Sequence, residues 1–187
     1  MRIITGTAKG TKLFTLEGDA TRPTSERAKE AVFSMIQSEI RGSRVLDVFA
    51  GSGQMALEAL SRGAESAVLI DRSPDAAEII KKNAAKTRLS DKCRIVCADS
   101  LSVLAKTPYG PFGLVFCDPP YALGLVPRVL SLLLTRGLLS EGALIVCETA
   151  SPDDVLGGDE ALAAGFTVKK ASKYGIAHIT VLEKNAP

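Results

Sequence analysis

The chain has 187 residues, of which 46% are hydrophobic, and a formal net charge of +2. That length suits one domain with a small appendage, and the near-balanced charge excludes a polybasic nucleic-acid tail as the whole protein. No apolar run approaches the roughly 20 residues that span a bilayer, and the polar, glycine-rich stretch from Thr5 to Lys12 is no signal-peptide core. A cytoplasmic protein with no membrane partner is expected.

The charge is nevertheless uneven. Residues 1–14 hold Arg2, Lys9 and Lys12 and no acid, and Arg22, Arg27, Lys29, Arg41 and Arg44 follow. Arg2–Thr5 and Thr11–Thr15 flank a glycine-containing turn and read as a hairpin. Thr24 or Ser25 can cap a helix running to Ile40, with Ala28, Val32, Met35 or Ile36, and Ile40 as its apolar stripe. Residues 1–42 thus read as an N-terminal extension, and 43–187 as the core.

The core alternates strand and helix. Arg44–Phe49, Ser66–Asp71, Cys93–Ala98, Phe112–Cys117 and Ala143–Glu148 read as strands. Gln54–Arg62, Pro74–Thr87, Ser100–Lys106, Val126–Thr135 and Pro152–Ala164 read as helices. Continuous apolar strands between helices imply a parallel sheet covered on both faces. Two tail strands, Thr167–Ser172 and Ile176–Glu183, are joined by a short turn at Lys173-Tyr174-Gly175. They must be antiparallel, because parallel neighbours need a long crossover. The expected fold is therefore α/β and Rossmann-like, with a mostly parallel seven-stranded sheet and an antiparallel last strand.

Ligands of such sheets sit outside the carboxyl ends of the strands. Two loops leave strands there. In the first, Gly51-Ser52-Gly53 follows a strand carrying Asp47 and Phe49 and opens a helix. Glycines admit a ligand close to the backbone, and the helix start supplies donors. Ala56 fills the third position of the dinucleotide pattern, which tolerates it, so this loop alone leaves a nicotinamide cofactor open. Asp71, followed by Arg72, ends the second strand, where an acid accepts from ribose hydroxyls; the competing reading is a helix cap near Ser73. Asp99, followed by Ser100, has two readings as well, a helix cap or an acceptor for an adenine amino group.

The second loop is Asp118-Pro119-Pro120-Tyr121. An exocyclic amino nitrogen is a poor nucleophile, because its lone pair is delocalised into the base. A carboxylate and a carbonyl that accept its N–H bonds raise its electron density and stabilise the positive charge that develops during methyl transfer. The prolines fix φ, aim the Pro119 carbonyl and add no donor. Tyr121 offers a stacking face. A plain strand-ending turn would also use Asp-Pro and Pro-Pro, but would not need the acid, both prolines and the aromatic together. This tetrad puts S-adenosylmethionine (SAM) ahead of a nicotinamide as cofactor, with no metal required. The four cysteines, Cys93, Cys97, Cys117 and Cys147, lie in apolar strand-like runs and read as buried free thiols. Cys117 alternates to the face away from Asp118, against a covalent cysteine mechanism. His178 is the single histidine, too little for a histidine metal site or a catalytic triad.

The chain resembles the bacterial RsmD family, the 16S ribosomal RNA guanine-N2 methyltransferases. The resemblance runs nearly end to end. It includes Met1-Arg2-Ile3-Ile4 with Gly6 and Gly10, Arg22-Pro23-Thr24 with Arg27 and Glu30, Val45–Gly53, Leu57–Ala64, Asp118–Tyr121 and Lys173-Tyr174-Gly175. It departs from the family at Gln54-Met55, where a small apolar residue and glycine are usual. The resemblance implies a class I SAM-dependent methyltransferase in which Asp47, Gly51, Gly53, Asp71 and Asp99 bind SAM, with Phe49, Ser52, Arg72 and Ser100 beside them. Asp118 and Tyr121, with Pro119 and Pro120, would hold the guanine. Arg2, Lys9, Lys12, Arg22, Thr24 and Arg27 would grip RNA, the partner being 16S rRNA within the small subunit or an assembly intermediate, and the enzyme a monomer. The competing readings are an adenine-N6 nucleic-acid methyltransferase, a protein-glutamine methyltransferase and a non-catalytic SAM-fold binding module.

Overall fold

The structure, a computed structural model, describes residues 1–16 and 26–186. Its centre is a seven-stranded sheet. The strands are β1 (Arg44–Asp47), β2 (Ser66–Asp71), β3 (Cys93–Cys97), β4 (Phe112–Cys117), β5 (Leu139–Thr149), β6 (Phe166–Tyr174) and β7 (Ala177–Lys184). Their order is β3-β2-β1-β4-β5-β7-β6. The first five are parallel, and β7 is antiparallel to both β5 and β6. The chain order reverses between β1 and β4, which is the switch point where open α/β sheets hold ligands.

Helices α1 (Glu26–Met35), α2 (Gln37–Ile40), α3 (Gln54–Ser61) and α4 (Pro74–Thr87) precede α5 (Ser100–Lys106), α6 (Leu125–Thr135) and α7 (Glu160–Gly165). Side chains alternate along each strand, so the sheet feeds two cores. Val45, Leu114 and Phe116 face Val32, Phe33, Leu57 and Ile80 of α1, α3 and α4. Leu46, Val115 and Cys117 face Leu104, Leu130 and Leu162 of α5, α6 and α7. Each such aliphatic or aromatic side chain removed from water contributes roughly 1.5–3 kcal/mol. Among the described residues no helix is long and apolar enough to cross a membrane.

Four local expectations are corrected. The helix expected over 152–164 is a single 3₁₀ turn, Pro152–Asp154, followed by turns and only then by α7. Gly157 and Gly158 have φ of 60° and 73°, left-handed values that end a helix. The helix expected to reach Ile40 unbroken is split at Ile36, and its cap residues Thr24 and Ser25 lie outside the described residues. The N-terminal hairpin shrinks to one antiparallel bridge, Arg2 with Lys12. Cys97 is exposed and Cys93 only half-buried, because β3 is the sheet edge and has a neighbour on one side alone. Cys117 and Cys147, in register on central strands, are fully buried as expected.

Residues 1–16 are fastened to α3 and α4 by buried polar groups. Glu58, fully buried on α3, accepts from Ile4 N at 2.7 Å and Thr5 N at 3.0 Å. Its carboxylate also pairs with Lys29 at 3.2 Å and Arg62 at 2.8 Å. Lys29 donates to the Arg2 carbonyl at 2.7 Å. Ser61 receives Ala8 N and donates to the Thr5 carbonyl. Gly6, at φ 89°, lies so close to α3 that a Cβ would stand 1.8 Å from the Ser61 carbonyl oxygen. On α4, Asn83 exchanges two hydrogen bonds with the Phe14 backbone and donates a third to the Ser52 carbonyl at 2.9 Å. A single buried amide thus ties the N-terminal segment to the glycine loop.

Candidate active site

The glycine loop leaves β1 between β2 and β4. Ala50 N donates to the Ile70 carbonyl at 2.9 Å and Gly53 N to the Ala50 carbonyl at 2.7 Å. Gly53 has φ 77°, and a Cβ there would press on Leu69 and Ile80 at 3.2–3.3 Å. Glycine is therefore required for packing and for backbone angle. Gly51, also at positive φ, has open space where its Cβ would be. Ser52 donates to the Met1 sulfur at 3.6 Å.

Asp71, at the end of β2, holds this loop. Its carboxylate accepts from Gly51 N at 2.8 Å and from Ser73 N at 2.9 Å. The cap of α4 is Ser73, which accepts from Ala76 N, so the cap reading of Asp71 falls. Asp99 does cap its helix, accepting from Ser102 N at 2.9 Å. It is exposed, and the hydrogen bond from Ser102 lowers its pKa. Ser100 is buried, and its hydroxyl donates to the Val48 carbonyl at 2.6 Å, which makes it a brace between β1 and α5. Phe49 is half-buried against the α5–α6 core, and Arg72 is exposed.

Asp47 is the buried acid of the site. Ala56 N donates to it at 3.3 Å. Burial dominates over that bond and, with the Asp71 charge, raises its pKa from 3.8 to about 7. Asp118 leaves β4 at the same edge. Protein atoms crowding its carboxyl raise its pKa well above the ordinary carboxylate range, and repulsion from Glu148 and Asp47 adds to this. The residue also opens to solvent, and water there screens part of the rise without reversing it. Pro119 is buried, Pro120 is exposed, and Tyr121 begins a 3₁₀ turn before α6. The Tyr121 hydroxyl donates to Glu148 Oε1 at 2.5 Å. Pro119, Tyr121 and Glu148 line one small cleft with Leu125 and Val126.

Acids therefore follow one another along the carboxyl edge: Asp99, Asp71, Asp47, Asp118 and Glu148, at or just past the ends of β3, β2, β1, β4 and β5. None of the ion pairs among the described residues includes Asp47, Asp71 or Asp118. Such a rim suits a cationic ligand and opposes a pyrophosphate. Glu148 was not foreseen, although an acid closing the apolar run Ala143–Val146 obeys the rule that picks out Asp47, Asp71 and Asp118. Cys117 is buried beside Cys147, which raises its thiol pKa far up, so no thiolate faces the cleft. Among the described residues no histidines, cysteines or carboxylates gather as a metal site.

The expected RNA-gripping residues are spread over the N-terminal segment and α1. Lys9, Lys12 and Arg27 are exposed. Arg2 is exposed too, but carries an ion pair with Glu26 at 3.2 Å. Lys29, counted with this basic region from the sequence, is buried against Glu58 and meets no solvent. Arg44 is likewise engaged, donating to the Gly110 carbonyl at 2.8 Å. Arg22 and Thr24 lie outside the described residues.

The chain is 38% identical to YlbH of Bacillus subtilis over 191 residues, covering 98% of this chain and 99% of that protein. It is 38% identical to ribosomal RNA small subunit methyltransferase D of Escherichia coli over 149 residues, covering 80% and 74%. The solved structure of yhhF from Escherichia coli superposes with a TM-score of 0.88 at 32% identity, covering 100% of this chain and 99% of that one. A family model described as conserved hypothetical protein 95 matches residues 1–183. The chain belongs to that family, the RsmD family, which includes ribosomal RNA small subunit methyltransferase D.

Proposed function

We propose that this protein transfers a methyl group from SAM to the exocyclic N2 of a guanine in 16S rRNA, within the small subunit or an assembly intermediate. That it is a SAM-dependent rRNA methyltransferase follows from its family and its relatives. The observation that carries the finer reading is the Asp118–Tyr121 tetrad, which leaves β4 next to the glycine loop of β1 on an edge lined by acids.

The residues fit the cofactor. Open space at Gly51 admits an adenosyl group against the backbone, with Gly53 and Ser52 completing the loop. Asp71 has lone pairs to spare for ribose hydroxyls beyond its two backbone bonds. Asp47 provides negative charge for a cation, and Asp99 stands at the adenine end beside Ser100, with Phe49 and Arg72 flanking. Bound there, SAM supplies a methyl already activated by its sulfonium.

The chain's own residues then do four things. Tyr121 stacks on a base turned out of its helix, its ring held by the bond to Glu148. Asp118 and the Pro119 carbonyl accept hydrogen bonds from the two N2 hydrogens and point the nitrogen lone pair at the methyl, and Asp118 takes the one N2 proton released as the nitrogen gains the methyl. The paired prolines keep that carbonyl fixed. Residues 1–42, through Arg2, Lys9, Lys12, Arg22, Thr24 and Arg27, meet RNA, while residues 43–187 carry the reaction. The enzyme works as a monomer in the cytoplasm, where its ribosomal substrate is assembled.

Nucleoside mass analysis of small-subunit rRNA from a deletion strain tests this reading. Loss of one N2-methylguanosine, restored by the wild-type gene, is expected. Loss of N6-methyladenosine instead, or an unchanged nucleoside profile, would overturn it.

A further inference from the structure

Glu148 lines the cleft that holds Pro119 and Tyr121 of the tetrad. Cys117 of β4 and Cys147 of β5 are register partners on parallel strands, so Asp118 and Glu148 are the next residues along at the carboxyl edge. Adjacent strands lie about 4.8 Å apart. Glu148 is half-buried, shares a cleft with Pro119 and Tyr121, and is the first charge acting on Asp118. Its Oε1 takes the Tyr121 hydroxyl. A carboxylate has about four acceptor positions, so it can serve several donors at once.

Two neighbouring acceptors facing a base edge discriminate between purines. Guanine presents two adjacent donors, the N2 amino group and N1–H. Adenine presents an N6 amino group beside a bare N1 lone pair, which a carboxylate repels. We propose that Glu148 is the residue that selects guanine, accepting N1–H while Asp118 and the Pro119 carbonyl hold N2. This rests on the N2 reading above and extends it from the reacting nitrogen to the identity of the base. The discrimination is negative as well as positive, since the wrong base brings two lone-pair carriers together.

The test uses 2,6-diaminopurine, which keeps the 2-amino group but has a bare N1. Small-subunit particles are reconstituted with a synthetic RNA segment bearing guanosine or diaminopurine ribonucleoside at the methylated position, mapped beforehand by mass analysis. Wild-type kcat/KM should favour guanosine on the order of a hundredfold, as for one well-made base-edge contact. In Glu148→Gln the carboxamide can donate to a bare N1 or accept N1–H, and the ratio should fall below about tenfold. Tyr121→Phe, which removes the phenol bond to Glu148 and keeps the ring, should lower both substrates together and keep the ratio. Calorimetric SAM binding by both variants checks that they fold.

Equal methylation of both bases by the wild type would overturn the role of Glu148 and leave the N2 reaction standing. So would a Glu148→Gln variant that loses activity on both bases in proportion, because Glu148 would then serve only to hold Tyr121. Methylation of neither base by the wild type would remove the N2 reading, and this inference with it.

Discussion

The buried acid under the N-terminal segment and the acids of the carboxyl edge behave in opposite ways. Under the N-terminal segment, Glu58 is closed off by Lys29, Arg62 and two backbone amides, and none of its charge is left for a ligand. Along the carboxyl edge, Asp47, Asp71 and Asp118 are held by backbone amides or by nothing cationic among the described residues. The same chemical group is structural in one place and, in the function proposed above, a binding element in the other. The difference lies in the partners. Charges matched by internal cations fasten chain to chain, whereas like charges gathered at strand ends keep their field for a cation from outside.

Breaking the closed cluster should have the largest effect. Glu58→Ala leaves Lys29 buried without its carboxylate and frees the amides of Ile4 and Thr5. A loss of about 3–5 kcal/mol in unfolding free energy is expected, read from urea denaturation. The double variant Lys29→Met with Glu58→Leu should recover much of it, because apolar side chains of similar size avoid the desolvation cost. If Glu58→Ala were neutral, the N-terminal segment would be held by packing of Ile3, Ala8 and Leu13 alone.

The open group should show its cost as a pH dependence. Asp47 has its pKa raised from 3.8 to about 7 by burial, the Ala56 bond acting against this and Asp71 with it. A carboxyl that holds its proton more tightly when folded stabilises the fold at acid pH. That contribution is complete below about pH 4 and is lost as pH rises through about 7, on the order of 4 kcal/mol in all. Asp47→Asn keeps an acceptor for Ala56 N and removes the ionisation. Relative to wild type, the cofactor-free variant should therefore gain stability between pH 4 and pH 8. An unfolding difference that stays flat over this range would mean that Asp47 is ionised in the fold at little cost.

The third effect is on turnover. Asp118→Ala should lower kcat at least about a hundredfold, near 3 kcal/mol, as for loss of one preorganised stabiliser of developing charge. SAM affinity should change much less, since the glycine loop and Asp71 are untouched. Near-normal turnover by folded Asp118→Ala would shift the amino-group contact to the Pro119 carbonyl or to Glu148.

Local pattern made most of this legible. Apolar runs ending in an acid located β1, β2 and β4 and with them Asp47, Asp71 and Asp118, and short-turn logic gave the antiparallel β6–β7 pair. Asp71 was placed correctly at a strand end, but only coordinates show it gripping Gly51. Features resting on distant partners were hidden. Lys29 looks like any surface cation in an amphipathic helix, and its burial depends on Glu58, 29 residues along the chain. Asn83 lies mid-helix, where the sequence gives no sign of its bonds to Phe14 and Ser52. The break at Gly157-Gly158 was visible in the letters, but the flanking run was long enough to suggest one continuous helix.

The smallest effect sharpens the comparison from a third side, the exposed cations of the N-terminal segment. Lys9 and Lys12 are exposed, and neither is in an ion pair among the described residues. They differ in this from Arg2, which Glu26 partly neutralises, and from Lys29, which Glu58 closes off. Cations open to solvent bind phosphates by releasing counterions, so affinity falls with salt in proportion to the contacts made. Lys9→Ala with Lys12→Ala should weaken binding to small-subunit particles and flatten the slope of log affinity against log salt by about one unit per lost phosphate contact. Unfolding free energy and SAM affinity should stay near wild type, because neither side chain joins the buried fastening of residues 1–16. Arg2→Ala should flatten the slope less, since that charge is already shared with Glu26. An unchanged slope in the double variant would place the phosphate contacts on Arg27 and the rest of the surface. A slope flattened together with lower SAM affinity would instead show that the N-terminal segment acts on the glycine loop through Asn83.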